Sequence, residues 1–387
     1  MERRRFASVL GGTAIAALTG IPAYADRPES CGVPQAGVDG WPVVFPDEDT
    51  FIDRAALCRM ADGLVASGAN IHAVLVAHRG KLVFERYFTG LDEVPGYIFG
   101  ERIANVTFDA ATLHNVKSVS KSVASLALGI AIDQGLVRSI DEPVFSFFPE
   151  FSDLRTPQKD RILLRHALDM TMGLQWIEAT PATGDANDEV RMHLSPDPCR
   201  YVLGLPVVTP PGQAFHYNTG ALALVSAVVR KAVGRPLDEF ARANLFEPLG
   251  ISSAKWNRVG GDTDAGGGLR LRPRDMARIG QLVLAGGRWN GRQVVSRSWI
   301  DASTAANIQA TDDQLYGYLW WLGRARANRR VIQWIGALGR GGQSIRIVPE
   351  LDLVVVVTAG YYQDYSPKAF RVQFGVFRDV LRAVRDL

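Results

Sequence analysis

Cysteine, histidine and lysine are scarce in this chain of 387 residues, and each scarcity removes a class of chemistry. Three cysteines, Cys31, Cys58 and Cys199, are too few and too scattered for a disulfide framework or a zinc site. An oxidising compartment would permit one bridge, with Cys31 and Cys58 the nearer pair, but the sequence does not fix it. The six histidines form no H-E-x-x-H or H-x-H and the cysteines no C-x-x-C, so the reading is of a protein with no metal and no cofactor. G-x-S-x-G is absent, which removes the nucleophile elbow of a Ser-His-Asp hydrolase. No repeat and no low-complexity tract occurs. A net charge of +3 gives no reason to expect a nucleic acid or an acidic surface as partner.

What is present begins with a leader. Arg3, Arg4 and Arg5 precede Phe6, a weakly apolar Gly/Ala-rich run follows, and Ala23-Tyr24-Ala25 closes it as a small-x-small cleavage site. Residues 1–25 thus read as a signal peptide of the twin-arginine type, and the protein as exported to the periplasm or medium. The run lacks the ~20 strongly apolar residues of a membrane span. Removing it would take away three arginines and one glutamate and leave a net charge of +1. Residues 26–48 form a Pro/Gly-rich extension.

Beyond it, "DTFIDRAALCRMADGLVASGA" has helical spacing with Asp49 or Thr50 as cap and Gly68 as stop, and "IHAVLVAHRGKLVFERYF" reads as two strands around a turn at Arg79-Gly80. "VIQWIGA", "GGQSIRIVPE" and "LDLVVVVTAG" are β-rich, and the chain ends in an amphipathic helix. Strands at both ends with helical patterns between them predict an α+β fold of several layers. Residues 49–112 and 290–387 would build a sheet domain, and 113–289 a mostly helical inserted domain.

Chemistry concentrates where the rare lysines do. Seven lysines stand against 36 arginines, yet residues 117–125 hold two lysines and four serines. A serine hydroxyl is a poor nucleophile until a base takes its proton, and lysine is such a base when burial lowers its pKa. At i and i+3 on a helix the two share a face. Ser118 and Lys121 have that spacing and open a helix, where free N–H groups favour developing negative charge. The pattern alone is weak, since chance supplies roughly a third of an S-x-x-K in a chain of this composition. A second copy, Ser252 to Lys255, follows a helix exit and reads as a solvated loop. Lys117 reads as a surface lysine, and Ser120, Ser122 and Ser125 as packing residues.

From here the order of motifs resembles the serine β-lactamase and penicillin-binding-protein superfamily, and more narrowly its class C-like branch with 6-aminohexanoate-dimer hydrolases, esterases and D-alanyl carboxypeptidases. The resemblance runs from about residue 70 to the C-terminus. It rests on "LLRHALDMTMGLQW", "PGQAFHYNTGALALVSAVV", "LFEPLGI", "GGGLRLRPRDMARIGQLVLAGGRWNG", "YGYLWW" and "GRGGQSIRIVPELDLVVVVTAG", which fall in the family's order. It implies a β-lactamase/transpeptidase-like fold, an antiparallel sheet flanked by helices, with Ser118 as nucleophile, Lys121 as base and Tyr217 as proton relay.

Further roles follow only from that resemblance. In the family's Y-x-N pattern the third residue helps hold the lysine; here Thr219 stands there, so Thr219 or Asn218 would take that part. Counting back from Pro349 without a gap lays "WIGALGRGGQSIRIVP" on the class C pattern "KTGATGG…IP". Gly336 then matches the motif glycine, the N–H of Ala337 would join that of Ser118 as oxyanion hole, and Trp334 replaces the carboxylate-binding lysine. Arg340 could supply a substitute charge. Trp176, Trp320 and Trp321 could line a substrate pocket, and Asp185, Asp188 or Glu189 could meet an amine. His114 and His216 read as structural.

The expectation is an acyl-enzyme serine hydrolase acting on a small ester or amide, an esterase or a 6-aminohexanoate-oligomer-type amidase. A β-lactamase or D-alanyl-D-alanine carboxypeptidase is the alternative, since the missing lysine argues against both. A non-catalytic binding protein of the cell envelope on the same scaffold is a third reading; its loss of a motif residue would be the sign, and here serine, lysine and tyrosine are all kept.

Overall fold

Two apolar runs from opposite ends of the chain lie side by side. Strand β1 (Ile71–His78) and strand β10 (Leu353–Ala359) are buried at every position and pair antiparallel from Ile71 opposite Ala359 to His78 opposite Leu353. Continuous burial of this kind requires cover on both faces of a sheet. β1 turns through Arg79 and Gly80, both at positive φ, into β2 (Lys81–Tyr87), the tight hairpin expected from the sequence. A second hairpin, β3 (Thr89–Pro95) with β4 (Glu101–Thr107), stands apart from the main sheet.

The remaining strands come from the C-terminal part: β5 (Ile308–Thr311), β6 (Gln314–Tyr316), β7 (Trp321–Ala327), β8 (Arg330–Gly339) and β9 (Gln343–Val348). The eight-stranded order is β5-β6-β7-β8-β9-β10-β1-β2, antiparallel throughout. This computed structural model describes residues 31–387 except 38, 46, 47, 49, 96–100, 179–185, 365 and 386. Residues 1–25, expected from the sequence to be an export leader, therefore lie outside the described residues, as do Asp49 and Asp185. The fold described is that of residues 32–387. Cys58 is disulfide-bonded, and Cys199 is a free, buried thiol.

One face of the sheet is covered by α1 (Arg54–Ala66) and the C-terminal helix α6 (Lys368–Arg382), with Leu57, Val376, Phe377, Val380 and Leu381 in a core shared with Val74, Val76, Val355 and Val357. α1 starts later than expected from the sequence: its cap is Asp53, whose carboxylate accepts from the Ala56 N–H at 3.0 Å, a bond of the kind that contributes about 1 kcal/mol.

The other face packs on α2 (Val119–Asp133), buried from Val119 to Ala131. A helix apolar on all sides belongs between layers. α2 has the sheet on one side and α4 (Gly220–Val233) on the other. Helix α5 (Pro273–Leu284) falls in the stretch assigned to the helical insertion, yet it lies directly on the sheet. Gly280 makes this contact possible, because a Cβ there would stand 2.6 Å from a Val354 methyl. The short helix α3 (Asp188–Leu194) borders the mouth of the site.

Candidate active site

The turn before α2 is held in an uncommon conformation. Lys117 has φ +49°, a left-handed value that costs a non-glycine residue of order 1 kcal/mol or more and persists only where its surroundings enforce it. The enforcement is visible: Asn115 Oδ1 accepts from the Lys117 N–H, the Val116 N–H donates to the Leu269 carbonyl, and Ser120 Oγ donates to the Lys117 carbonyl at 2.5 Å while accepting from the Leu269 N–H at 3.2 Å. Ser120 is thus fully committed to the backbone. Ser118 follows as the N-cap residue of α2, its side chain free of any capping bond.

Lys121 lies one turn on, 2% exposed. Its Nζ donates to Ser118 Oγ at 2.9 Å and to the Gly266 carbonyl at 2.7 Å, and sits 5.1 Å from the Tyr217 ring centre. Burial pushes the ammonium pKa down, while Glu178, Glu189 and Asp264 push it back up. Tyr217, just before α4, is hydrogen-bonded to Ser118. Its phenol is raised far above the ordinary range, first by burial and then by the Glu178 charge. Burial therefore acts against the ammonium of Lys121 and against the phenolate of Tyr217, on either side of one hydroxyl.

Neither candidate for holding the lysine does so. Thr219 gives its N–H to Glu178 Oε2 at 2.9 Å and its hydroxyl to Oε1 at 2.8 Å, and Asn218 Oδ1 accepts from the Ala221 N–H. The Gly266 carbonyl takes that part, and Thr219 supports it indirectly through a methyl group packed on Gly266. Glu178, Gly266 and Gly339 went unnoticed in the sequence; the only hint was the acidic end of "LQWIE" and the glycine run at 266–268. Trp176 stands behind the wall, 3% exposed, with its Nε1 on Glu178 Oε2.

The gap-free placement of the third motif is corrected by strand alternation. Along β8, Trp334 packs with the sheet face under α6, edge-on to Phe377 at 6.4 Å, and Gly336 follows it on that face. Ala337 faces the α2 layer but is sealed in the core. The close approach to the turn bearing Ser118 comes three residues beyond Gly336, at Gly339, where a Cβ would lie 2.3 Å from the Val116 carbonyl oxygen. Leu338, Gly339 and Arg340 line the cavity containing Ser118; Trp334, Gly336 and Ala337 do not. The turn between β8 and β9 is shorter than the gap-free count assumed.

Other candidates divide in the same way. Trp321 lines the cavity and stacks 6.1 Å from Tyr217, whereas Trp320 is wholly buried. Asp188 is a tie within the fold, accepting from the Ile177 N–H at 2.6 Å and from the Tyr201 hydroxyl at 2.5 Å. Its neighbour Glu189 lines the cavity instead, its carboxyl pKa raised by burial and by Glu178. Lys117 is no free surface lysine: its Nζ meets Glu93 Oε2 of β3 at 2.6 Å. Lys255 of the second S-x-x-K is exposed, and His114 is wholly buried.

The cavity holds about 840 Å³ and is open to solvent. Its lining includes the acids Glu178, Glu189 and Asp264 and the cationic side chains Lys117, Arg270 and Arg340.

Comparison with known proteins agrees with this architecture. The family model described as Beta-lactamase matches residues 59–369. The 6-aminohexanoate-dimer hydrolase of Paenarthrobacter ureafaciens is 25% identical over 302 residues, 70% of this chain and 72% of that one. Esterase EstB of Burkholderia gladioli is 27% identical over 213 residues, 52% of this chain and 49% of its own. Among solved structures, a putative 6-aminohexanoate-dimer hydrolase from Bacillus anthracis superposes with a TM-score of 0.67 at 20% identity, covering 92% of this chain and 89% of that one.

Proposed function

The chain belongs to the beta-lactamase family, and on that premise we propose that it is a serine hydrolase cleaving an ester or amide through an acyl-enzyme on Ser118. One observation carries the reading: Lys121 Nζ lies 2.9 Å from Ser118 Oγ, buried, with Tyr217 bonded to the same hydroxyl. Lys121, in its neutral form, takes the Ser118 proton as Oγ bonds to the substrate carbonyl carbon. The oxyanion is met by the Ser118 N–H at the start of α2 and by an N–H of the Gly339–Arg340 end of β8. When the tetrahedral intermediate collapses, Tyr217 passes a proton to the departing oxygen or nitrogen. Water then attacks the acyl carbon, giving its proton to the same pair, and Ser118 is restored.

The relatives named for activity on 6-aminohexanoate dimers and on esters support an esterase or a 6-aminohexanoate-oligomer-type amidase. The strand end reads Ala337-Leu338-Gly339 and carries no lysine for a β-lactam carboxylate. β-Lactamase or D-alanyl peptidase activity is therefore the second reading. The twin-arginine leader and the oxidised state of Cys58 support an exported protein. A panel of p-nitrophenyl esters, linear amides and a chromogenic cephalosporin tests substrate class, and fluorophosphonate labelling tests the nucleophile. A labelled site other than Ser118 would refute the mechanism; cephalosporin turnover exceeding ester turnover would reverse the ranking.

A further inference from the structure

A buried arginine under the sheet bears on what the cavity recognises. Arg346 lies on β9 with no exposed surface, and its guanidinium carbon is 4.9, 5.0 and 5.2 Å from the ring centres of Trp334, Phe377 and Phe374. No carboxylate faces it among the described residues; burial alone acts on its pKa, lowering it to about 9. Its Nε and Nη2 have no partner, and its single hydrogen bond runs from Nη1 to Gln373 Oε1 on α6. A cation so placed is costly, and its one hydrogen-bond partner is the group it can hold in place.

What it fixes is an amide orientation. A glutamine side chain offers a carbonyl oxygen and an amide nitrogen of almost the same shape, and neighbours decide which way it faces. Gln373 is 3% exposed and forms part of the wall of the Ser118 cavity. Because Oε1 is turned onto the Arg346 guanidinium, Nε2 is the atom left over. Among the described residues it makes no hydrogen bond and is not one of the fully buried unpartnered atoms, and Gln373 lines the cavity. The reversed orientation would press an N–H against a cation. Leu338, Arg340 and Phe370 line the same cavity.

We propose that Gln373 is a specificity residue whose Nε2 donates to a carbonyl or carboxylate oxygen on the substrate remote from the scissile bond, and that Arg346 is the positioning residue that keeps this donor facing the cavity. The proposal rests on the Ser118 hydrolase reading and names the substrate class for it: esters or amides that carry a second acceptor oxygen. An apolar acyl or alkyl chain would leave the donor unpaired on binding, which discriminates by at least about tenfold at a site built to hydrogen-bond.

The test uses matched esters on the full chain: p-nitrophenyl pentanoate against p-nitrophenyl 4-oxopentanoate and the p-nitrophenyl monoester of glutarate, and a second pair with the ketone in the alcohol portion. Intrinsic reactivity cancels because the same esters are compared in every variant. The wild-type protein should prefer an acceptor-bearing member, mainly through KM. Gln373→Glu keeps an oxygen on Arg346 but turns the cavity-facing atom into an acceptor, so the preference should fall at least about tenfold, most for the glutarate ester, while the melting temperature holds or rises. Arg346→Leu should reduce the preference and Arg346→Lys should recover part of it. A wild-type protein indifferent to the extra oxygen, or a folded Gln373→Glu protein with unchanged preference, would overturn the inference. Equal losses on all esters in Arg346→Leu would reduce Arg346 to a packing residue. Absence of ester turnover together with absence of fluorophosphonate labelling would bring down the hydrolase reading, and the inference with it.

Discussion

Glu178 grips Thr219 at two points, the backbone N–H at 2.9 Å and the hydroxyl at 2.8 Å, across 41 residues of sequence. Thr219 caps α4 two residues after Tyr217 and packs its methyl on Gly266, the residue whose carbonyl holds Lys121. The carboxylate thus ties together the stretch of chain bearing Tyr217 and the loop bearing the lysine's acceptor.

Its charge has a second effect, since it favours the Lys121 ammonium. The base must be neutral to act, so activity rises as pH passes upward through the Lys121 pKa. Glu178→Gln removes a negative charge while keeping the shape, so that pKa should fall. The acid limb of kcat/KM against pH is expected to move to lower pH. A limb that stays in place or moves upward would show that Glu178 does not act on the base electrostatically.

Ser118→Ala is expected to abolish turnover and leave the fold intact. Ser120→Ala has a different signature. It strips the Leu269 N–H of its buried partner, a loss of about 1–3 kcal/mol that should appear in the melting temperature. Turnover should survive in part at temperatures where the variant is folded. Residual activity below about one percent in a folded Ser120→Ala protein would mean that the wrong serine has been assigned as nucleophile.

The sheet built from two chain ends, the turn at Arg79-Gly80 and the helix after Ser118 were legible because each leaves a local mark: an apolar run, a pair of turn residues, a helix-period stretch. The site was legible in part. Ser118, Lys121 and Tyr217 stand in motifs of short span, and the structure gathers them. Glu178 leaves no such mark, since its bond to Thr219 is set by tertiary packing alone. Asp188 and Glu189 are neighbours at the start of α3, and only the direction of that helix sends one inward and the other to the cavity. The placement of Trp334 failed because a strand has just two faces and the length of the turn after it was misjudged. The position of α5 on the sheet was hidden because its apolar face could equally have packed on a helix.

Lys121 also carries a stability cost. Its folded pKa lies below the ordinary lysine value, so between the two values the unfolded chain holds a proton that the folded chain does not. Stability therefore rises with pH across that window, and the full cost is felt below it. Lys121→Met, close in size and uncharged, should lose acylation and melt higher than the wild type near neutral pH. The gap should narrow as pH approaches the ordinary lysine range. A variant that melts lower at every pH would show that the hydrogen bonds to Ser118 and Gly266 outweigh the desolvation.

The register of β8 is tested by two glycines. At Gly339 an added Cβ would meet the Val116 carbonyl oxygen at 2.3 Å, a backbone atom two residues from Ser118. Relief requires the strand end to move away from Ser118, and a misplacement of this size near reacting groups costs about 100-fold in rate. At Gly336 the added Cβ would meet the Trp334 ring at 2.9 Å, on the α6 face and away from the cavity. Gly339→Ala should therefore lose turnover with a modest change in melting temperature, and Gly336→Ala should lose stability while a larger share of turnover survives in the folded fraction. The opposite assignment of the two losses would restore Gly336 as the glycine that faces the substrate.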